Sequence, residues 1–76
     1  MSSTRDEKTL IKFGDHFKSI RRQKKISLRK LEALADVDYS EIHRIEKGLR
    51  NPSLTTILAL ADALEIDACE LFKFRL

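Results

Sequence analysis

The apolar residues of the chain recur mainly at steps of three and four positions, the spacing that places side chains on one stripe of an α-helix. In the N-terminal third this stripe is formed by Leu10, Phe13, Phe17 and Ile20. It predicts a first helix that ends near Gln23 or Lys24. Gly14 in the middle of this helix costs about 1 kcal/mol relative to alanine, so we expect another element to pack closely against it.

Three later helix starts share one local pattern: a branched apolar residue, a capping residue, and an apolar residue four positions into the helix. The pattern occurs as Ile26-Ser27 with Leu31, as Val37-Asp38 with Ile42, and as Ile66-Asp67 with Leu71. Glu41 and Glu70 stand at the third helical position and predict capping boxes with the two aspartates. A further helix follows the cap Ser53, and its predicted buried stripe is Leu54, Ile57, Leu58, Ala61 and Leu64.

These signals predict an all-α fold of five helices with no strand. Residues 1–8 are polar and without periodicity, so we interpret them as a flexible N-terminal tail and residues 9–76 as one folded domain. The tightest connection is Ala35-Asp36-Val37. Because so short a turn prevents two helices from lying antiparallel side by side, it predicts the steep crossing of a helix-turn-helix.

Composition excludes several classes of protein. No apolar run approaches the roughly 20 residues that cross a bilayer, and the N-terminus has no hydrophobic signal segment, so we expect a cytoplasmic protein with no membrane partner. Cys69 is the single cysteine, and His16 and His43 are the two histidines; this predicts no metal site and no cofactor. We interpret Cys69 as a packing residue and His16 as a surface or half-buried one. Without a group of acid, base and nucleophile, no enzyme and no small-molecule substrate are expected.

The charge distribution is more informative than the formal net charge of +3. Residues 21–50 contain nine Lys or Arg against five acids, whereas residues 51–76 contain two against four. A basic middle and an acidic end indicate that one surface meets an anionic partner and another does not.

The most specific features are Arg21 in the first predicted helix, Ser27 and Leu31 in the second, R-I-E-K-G at residues 44–48, and N-P-S-L followed by A-x-A-L. In this order and spacing, the segment from about Phe13 to Leu71 resembles the Cro and phage-repressor type of helix-turn-helix domain, also called the xenobiotic-response-element family. The resemblance implies a compact five-helix, lambda-repressor-like bundle. It also implies that the third helix enters the major groove of double-stranded DNA, usually in a homodimer on a two-fold symmetric site.

The resemblance further implies a buried ion pair between Arg21 and Glu46 that ties the first helix to the third. The helical periodicity agrees, because Glu46 lies only about 40° around the helix from Ile42, beside the apolar stripe. Three positions depart from the family pattern: Leu28 replaces the usual glutamine, Glu32 a small alanine, and Asp36 the turn glycine. Glu32 fits beside the third helix only if its carboxylate turns outward to a basic neighbour.

On the third helix, Ile42, Ile45 and Leu49 are expected to face inward and the polar residues outward. Family roles carried over to this chain predict base reading by Tyr39, Ser40, His43 and Arg44, and Arg44 is the strongest candidate because its fork matches guanine O6 and N7. Glu41 is a weaker candidate because it faces its own cap. The residues expected to bind phosphates are Arg29, Lys30, Lys47, Arg50 and Asn51.

The C-terminal segment is unusually apolar for a chain end. Phe72, Phe74 and Leu76 either fold back over the aromatic residues of the first helix or form the seam of a homodimer, and the resemblance favours a dimer through the last helices. The expected function is a sequence-specific transcriptional regulator, a repressor or autoregulator of a palindromic operator. Two alternatives remain: an antitoxin-type module that neutralises a partner protein, and the controller of a restriction-modification system.

Overall fold

Residues 6–76, the part of the chain that the computed structural model describes, form four α-helices and one short 3₁₀ helix. They are α1 (Glu7–Gln23), α2 (Leu28–Ala35), α3 (Tyr39–Glu46), α4 (Leu54–Ala63) and a 3₁₀ helix at Ala68–Phe72. None of these residues forms a strand. The all-α class is therefore confirmed, whereas the expected fifth α-helix is wrong.

The last predicted helix is a 3₁₀ helix, and the capping interactions expected there do not form. Asp67 makes no side-chain cap hydrogen bond, and the Glu70 carboxylate instead accepts a hydrogen bond of 2.8 Å from Lys73 Nζ. This bond favours the charged ammonium and raises the pKa of Lys73. The regular backbone ends before Lys73, which lets the chain turn back toward α1.

Helix α1 begins earlier than expected, at Glu7 rather than after residue 8. Asp6 is its N-cap, and the carboxylate accepts a hydrogen bond of 3.3 Å from the Thr9 N–H. Hydrogen bonds from Thr9 favour the ionised carboxyl and lower the pKa of Asp6. Residues 1–5 of the predicted tail lie outside the described residues.

The core lies where α1, α2, α3, α4 and the 3₁₀ helix meet. Helix α1 packs on α3 and the 3₁₀ helix, and α2 packs on α3 and α4. The largest fully buried side chains are Phe17, Leu31, Ile42, Ile45, Leu60, Leu64 and Leu71. The predicted stripe of α4 is corrected in part, since Leu60 is buried while Leu54 and Leu58 are exposed. Helix α4 is apolar on more than one side, so periodicity alone did not distinguish the face that packs.

The connection between α2 and α3 is the short turn that the sequence predicts. Asp36 ends α2 in the left-handed conformation, with φ 57° and ψ 40°, and its N–H donates to the carbonyl of Glu32 at 2.9 Å. Aspartate tolerates this conformation better than most residues that have a side chain. A two-residue link, Val37-Asp38, then leads into α3.

Candidate nucleic-acid interface

Helix α3 presents a polar face on the side opposite its buried residues. Ile42, Ile45 and Glu46 are buried against the domain. The polar face comprises Tyr39, Ser40, His43, Arg44 and Lys47, of which the first two are partly buried and the others exposed. An α-helix with its side chains is about 10–12 Å in diameter, and a major groove about 12 Å wide admits it. The four residues expected to read bases thus lie together on one accessible face.

Two contacts with α1 fix the position of α3. Arg21 Nε lies 2.6 Å and Nη2 3.1 Å from the two carboxylate oxygens of Glu46, so the expected ion pair is present and bidentate. Arg21 Nη1 also donates to the carbonyl of Ile26 at 2.8 Å. A Cβ on Gly14 would lie 2.6 Å from the carbonyl oxygen of Glu46 and still closer to that of Ile45. The predicted close packing against Gly14 is confirmed, and its partner is the backbone of α3.

The N-terminus of α3 is held by a side chain of α2. The Tyr39 N–H donates to Glu32 Oε2 at 2.9 Å, and Glu32 Oε1 lies 3.5 Å from Arg29 Nη1. The guanidinium carbon of Arg29 lies 4.2 Å from the centre of the Tyr39 ring, within the range of a cation–π contact. The sequence indicated that Glu32 must turn toward a basic neighbour. Its hydrogen bond to α3 was missed, because that contact depends on how the two helices cross.

The capping box expected at α3 does not form. Asp38 occupies the N-cap position but makes no cap bond to the backbone; its carboxylate accepts instead from the Ser40 hydroxyl. Glu41 does not reach back to the cap, because its Oε1 accepts a hydrogen bond of 3.0 Å from Arg50 Nε. Glu32 caps the same helix end at a different donor, the N–H of Tyr39, rather than the Asp38 and Glu41 N–H groups that a capping box would satisfy.

The residues expected to bind phosphates flank α3 in the chain. Arg29 and Lys30 lie in the first turn of α2, while Lys47, Arg50 and Asn51 follow α3, and all five are exposed. Ser27 caps α2 by accepting from the Lys30 N–H at 3.0 Å. Each of the two arginines has a glutamate neighbour: Arg29 has Glu32 and Arg50 has Glu41.

Leu49 does not face inward as expected, since 53% of its surface is exposed. Helix α3 ends at Glu46, and Gly48 takes a positive φ of 76°, so the helical periodicity no longer applies at Leu49. The Leu49 N–H donates to the carbonyl of Arg44 at 2.9 Å, which is one bond of a Schellman end.

The C-terminal aromatic residues fold back over α1, and one of them remains half exposed. The rings of Phe72 and Phe74 lie 5.6 Å and 6.2 Å from that of Phe13, and His16 Nε2 donates to the carbonyl of Glu70 at 2.8 Å. Phe72 is nevertheless 51% exposed and Leu76 70%. The first of the two expected arrangements is therefore present, and apolar surface remains available beyond it.

The described residues contain little else that points to chemistry. Cys69 is exposed, so its interpretation as a packing residue is wrong; it lies in the first turn of the 3₁₀ helix. Residues 6–76 contain no group of His, Cys, Asp and Glu arranged to hold a metal ion. No helix within that range is long and apolar enough to cross a membrane.

The helices and turn described above match those of a known class. A helix-turn-helix family model matches residues 17–71, a span that contains the ion-paired Arg21, the left-handed Asp36 and the whole of α3. The chain belongs to the helix-turn-helix family of Cro and phage-repressor type.

Relatives of this helix-turn-helix protein include regulators. It is 33% identical over 58 residues to the HTH-type transcriptional regulator y4dJ of Sinorhizobium fredii, covering 76% of this chain and 75% of that protein. It is similar to the restriction-modification controller protein C.AhdI from Aeromonas hydrophila, with 42% identity and a TM-score of 0.84 over 86% of this chain and 98% of that one. The clp gene regulator ClgR from C. glutamicum shares the fold, with a TM-score of 0.77 at 21% identity over 82% and 80% of the two chains.

Proposed function

We propose that this chain, a DNA-binding transcriptional regulator of the helix-turn-helix family, binds a palindromic operator as a homodimer and reads it with α3. The observation that carries the proposal is the exposed polar face of α3, opposite the buried Ile42 and Ile45. The Arg21–Glu46 pair and the Glu32–Tyr39 hydrogen bond hold this helix near its two ends. A helix held at both ends enters a groove without first being ordered, which lowers the cost of binding.

Arg44 is the principal base-reading residue in this proposal. Its guanidinium is exposed on α3 and its two parallel N–H groups match O6 and N7 of guanine. Tyr39, Ser40 and His43 on the same face supply further contacts to base edges. Ser40 donates to Asp38 in the unbound protein, so its hydroxyl has to turn from that carboxylate to reach a base.

Phosphate contacts flank the reading face. We assign them to Arg29, Lys30, Lys47, Arg50 and Asn51, all of which are exposed. Contacts of this kind set the register of a protein on the duplex but carry no sequence information. Arg29 and Arg50 already have carboxylate neighbours, and phosphate therefore competes with Glu32 and Glu41 for these two guanidinium groups.

Exposed apolar side chains supply the homodimer surface. Phe72 and Leu76 at the C-terminus are exposed and Phe74 partly so, and Leu54 and Leu58, one turn apart on α4, are exposed as well. A monomer of this size gains stability from covering such surface. Residues 51–76 are acidic in balance, which keeps this side of the protein away from DNA. The two copies of α3 would then be about 34 Å apart, one turn of duplex.

The protein then acts in the cytoplasm by occupying its operator, as a repressor or autoregulator. A more specific candidate is the controller of a restriction-modification system, which the 42% identity to C.AhdI over nearly all of that chain favours. A restriction endonuclease reading frame next to the coding sequence would support this second candidate. Co-purification of the protein with the product of a toxin-like reading frame would favour an antitoxin instead.

Selection of bound sequences from a random pool of duplex DNA tests the proposal. We expect enrichment of an inverted repeat whose half-site centres are about 10 base pairs apart, because two-fold symmetry of the protein imposes the same symmetry on its site. Enrichment of no sequence would contradict the reading role of α3. Enrichment of a single half-site without its inverted copy would contradict the homodimer.

A further inference from the structure

Three groups at the junction of α2 and α3 form a closed set of contacts that base reading alone does not explain. Glu32 accepts a hydrogen bond from the Tyr39 N–H at 2.9 Å and lies 3.5 Å from Arg29. Arg29 in turn lies over the Tyr39 ring, 4.2 Å from its centre. The backbone of Tyr39 is thus tied to Glu32 and its ring to Arg29, while Glu32 and Arg29 are also tied to each other.

The hydrogen bond to Tyr39 satisfies a donor that α3 does not satisfy itself. The first N–H groups of a helix have no partner within it, and Asp38 makes no side-chain cap bond here. A carboxylate at this end also interacts favourably with the positive end of the helix dipole. Because only 33% of the Glu32 side chain is exposed, water screens these interactions less than it screens those of a surface pair.

A carboxylate at this position is unfavourable for binding an anionic polymer. Glu32 lies beside Arg29, which we assign to a phosphate, so its negative charge opposes DNA of any sequence. Such a carboxylate weakens binding to all DNA sequences alike, while it fixes Tyr39, the first residue of α3. The two effects together favour the operator over other DNA sequences. We infer that Glu32 is a positioning residue that sets base selectivity by fixing Tyr39, directly through its N–H and indirectly through Arg29. This inference rests on the proposed function.

Two substitutions separate the parts of this role. Glu32→Gln keeps a side-chain oxygen for the Tyr39 N–H but removes the charge that holds Arg29. Glu32→Ala removes both interactions and introduces a small side chain with high helix propensity. Asp62→Asn is the matched control, because it neutralises one exposed carboxylate on α4 without touching the junction. Tyr39→Ala identifies the operator positions whose preference depends on Tyr39.

The measurement is the affinity of each variant for the selected operator and for operators changed at one base pair at a time, with thermal unfolding as the check on folding. One good bidentate base contact gives roughly 5- to 160-fold discrimination. We expect Glu32→Ala to lose about 3- to 10-fold of the preference at the Tyr39-dependent positions, and Glu32→Gln to lose less. Preference at the Arg44-dependent positions should be retained, and Asp62→Asn should match the wild type at every position.

A purely structural role predicts another pattern, namely a lower melting temperature with preferences that are unchanged or reduced equally at all positions. Preferences that stay unchanged, or that fall equally at all positions, would overturn the inference. If Glu32→Ala failed to fold, the same two results in Glu32→Gln would overturn it. If the wild type selects an inverted repeat and the variants keep its preferences, the inference fails alone. If the wild type selects no sequence, the proposed function fails and the inference fails with it.

Discussion

Replacing Glu46 with glutamine should destabilise the domain by about 3 kcal/mol, the low end of the 3–5 kcal/mol expected when one partner of a buried ion pair is removed. Glu46 accepts two hydrogen bonds from Arg21, of 2.6 Å and 3.1 Å, and only 3% of its side chain is exposed. Glutamine leaves the buried guanidinium without a counter-ion. Its amide oxygen still accepts one hydrogen bond, which is why we place the loss at the lower limit.

Urea unfolding followed by far-UV circular dichroism measures this loss, and a second glutamate on the same helix provides the control. Glu41 pairs with Arg50 at 3.0 Å, but 34% of the Glu41 side chain and 47% of the Arg50 side chain are exposed. An exposed pair contributes at most about 1 kcal/mol, so Glu41→Gln should change stability little. In thermal unfolding, the Glu46 variant should lose roughly 12–24 °C, since 1 kcal/mol corresponds to about 4–8 °C in a domain of this size.

Replacing both partners tests whether the loss comes from the uncompensated charge. The double variant Arg21→Met with Glu46→Leu should be more stable than Glu46→Gln, because apolar residues in place of a buried pair leave no charge behind. The double variant should remain about 1 kcal/mol less stable than the wild type, because the Ile26 carbonyl loses its hydrogen bond from Arg21. If Glu46→Gln is destabilised no more than Glu41→Gln, the buried Arg21–Glu46 pair does not stabilise the domain in this way.

Three further predictions concern packing, DNA and assembly. Gly14→Ala should lower stability by about 1–2 kcal/mol, because the overlap of the new Cβ with the backbone of α3 outweighs the gain of about 1 kcal/mol in helix propensity. Thermal unfolding measures this loss, with the exposed Ser19→Ala as the control. Stabilisation of both variants would contradict the prediction. The logarithm of operator affinity should fall with the logarithm of salt concentration with a slope of about −7, if four cations in each protomer of the proposed homodimer each neutralise one phosphate. Titration by fluorescence anisotropy measures this slope. A slope near zero would contradict the phosphate roles of Arg29, Lys30, Lys47 and Arg50. Leu54→Lys should leave folding intact, because Leu54 is 69% exposed. In analytical sedimentation it should shift the proposed homodimer toward the monomer. An unchanged dimer would show that Leu54 is not in the interface.

Local signals in the sequence accounted for most helix boundaries. Ser27 and Ser53 both accept the backbone hydrogen bond that an N-cap requires, and the apolar spacing of α1 matches its buried side. Gly14 was informative because a glycine inside a helix has a cost that close packing explains. The caps, the apolar stripe and the cost of a glycine inside a helix all depend on residues a few positions apart, so they can be recognised in a single sequence.

The features that the sequence did not reveal depend on competition between partners from different helices. Asp38 and Glu41 had the spacing of a capping box, but Ser40 and Arg50 engage their carboxylates instead. The sequence led us to expect a basic neighbour for Glu32 without naming Arg29, and the bond from Glu32 to Tyr39 was not predictable without the crossing of α2 and α3. Leu54 and Leu58 fit an apolar stripe equally well whether it packs inside or stays exposed.

The most direct test of base reading by α3 is the discrimination of an Arg44→Ala variant between the selected operator and unrelated duplex DNA. Arg44→Ala should lose roughly 5- to 160-fold in discrimination and largely retain its affinity for unrelated DNA, because Arg44 reads a base while other residues hold phosphates. Equal discrimination by the variant and the wild type would show that the exposed face of α3 does not read the operator through Arg44.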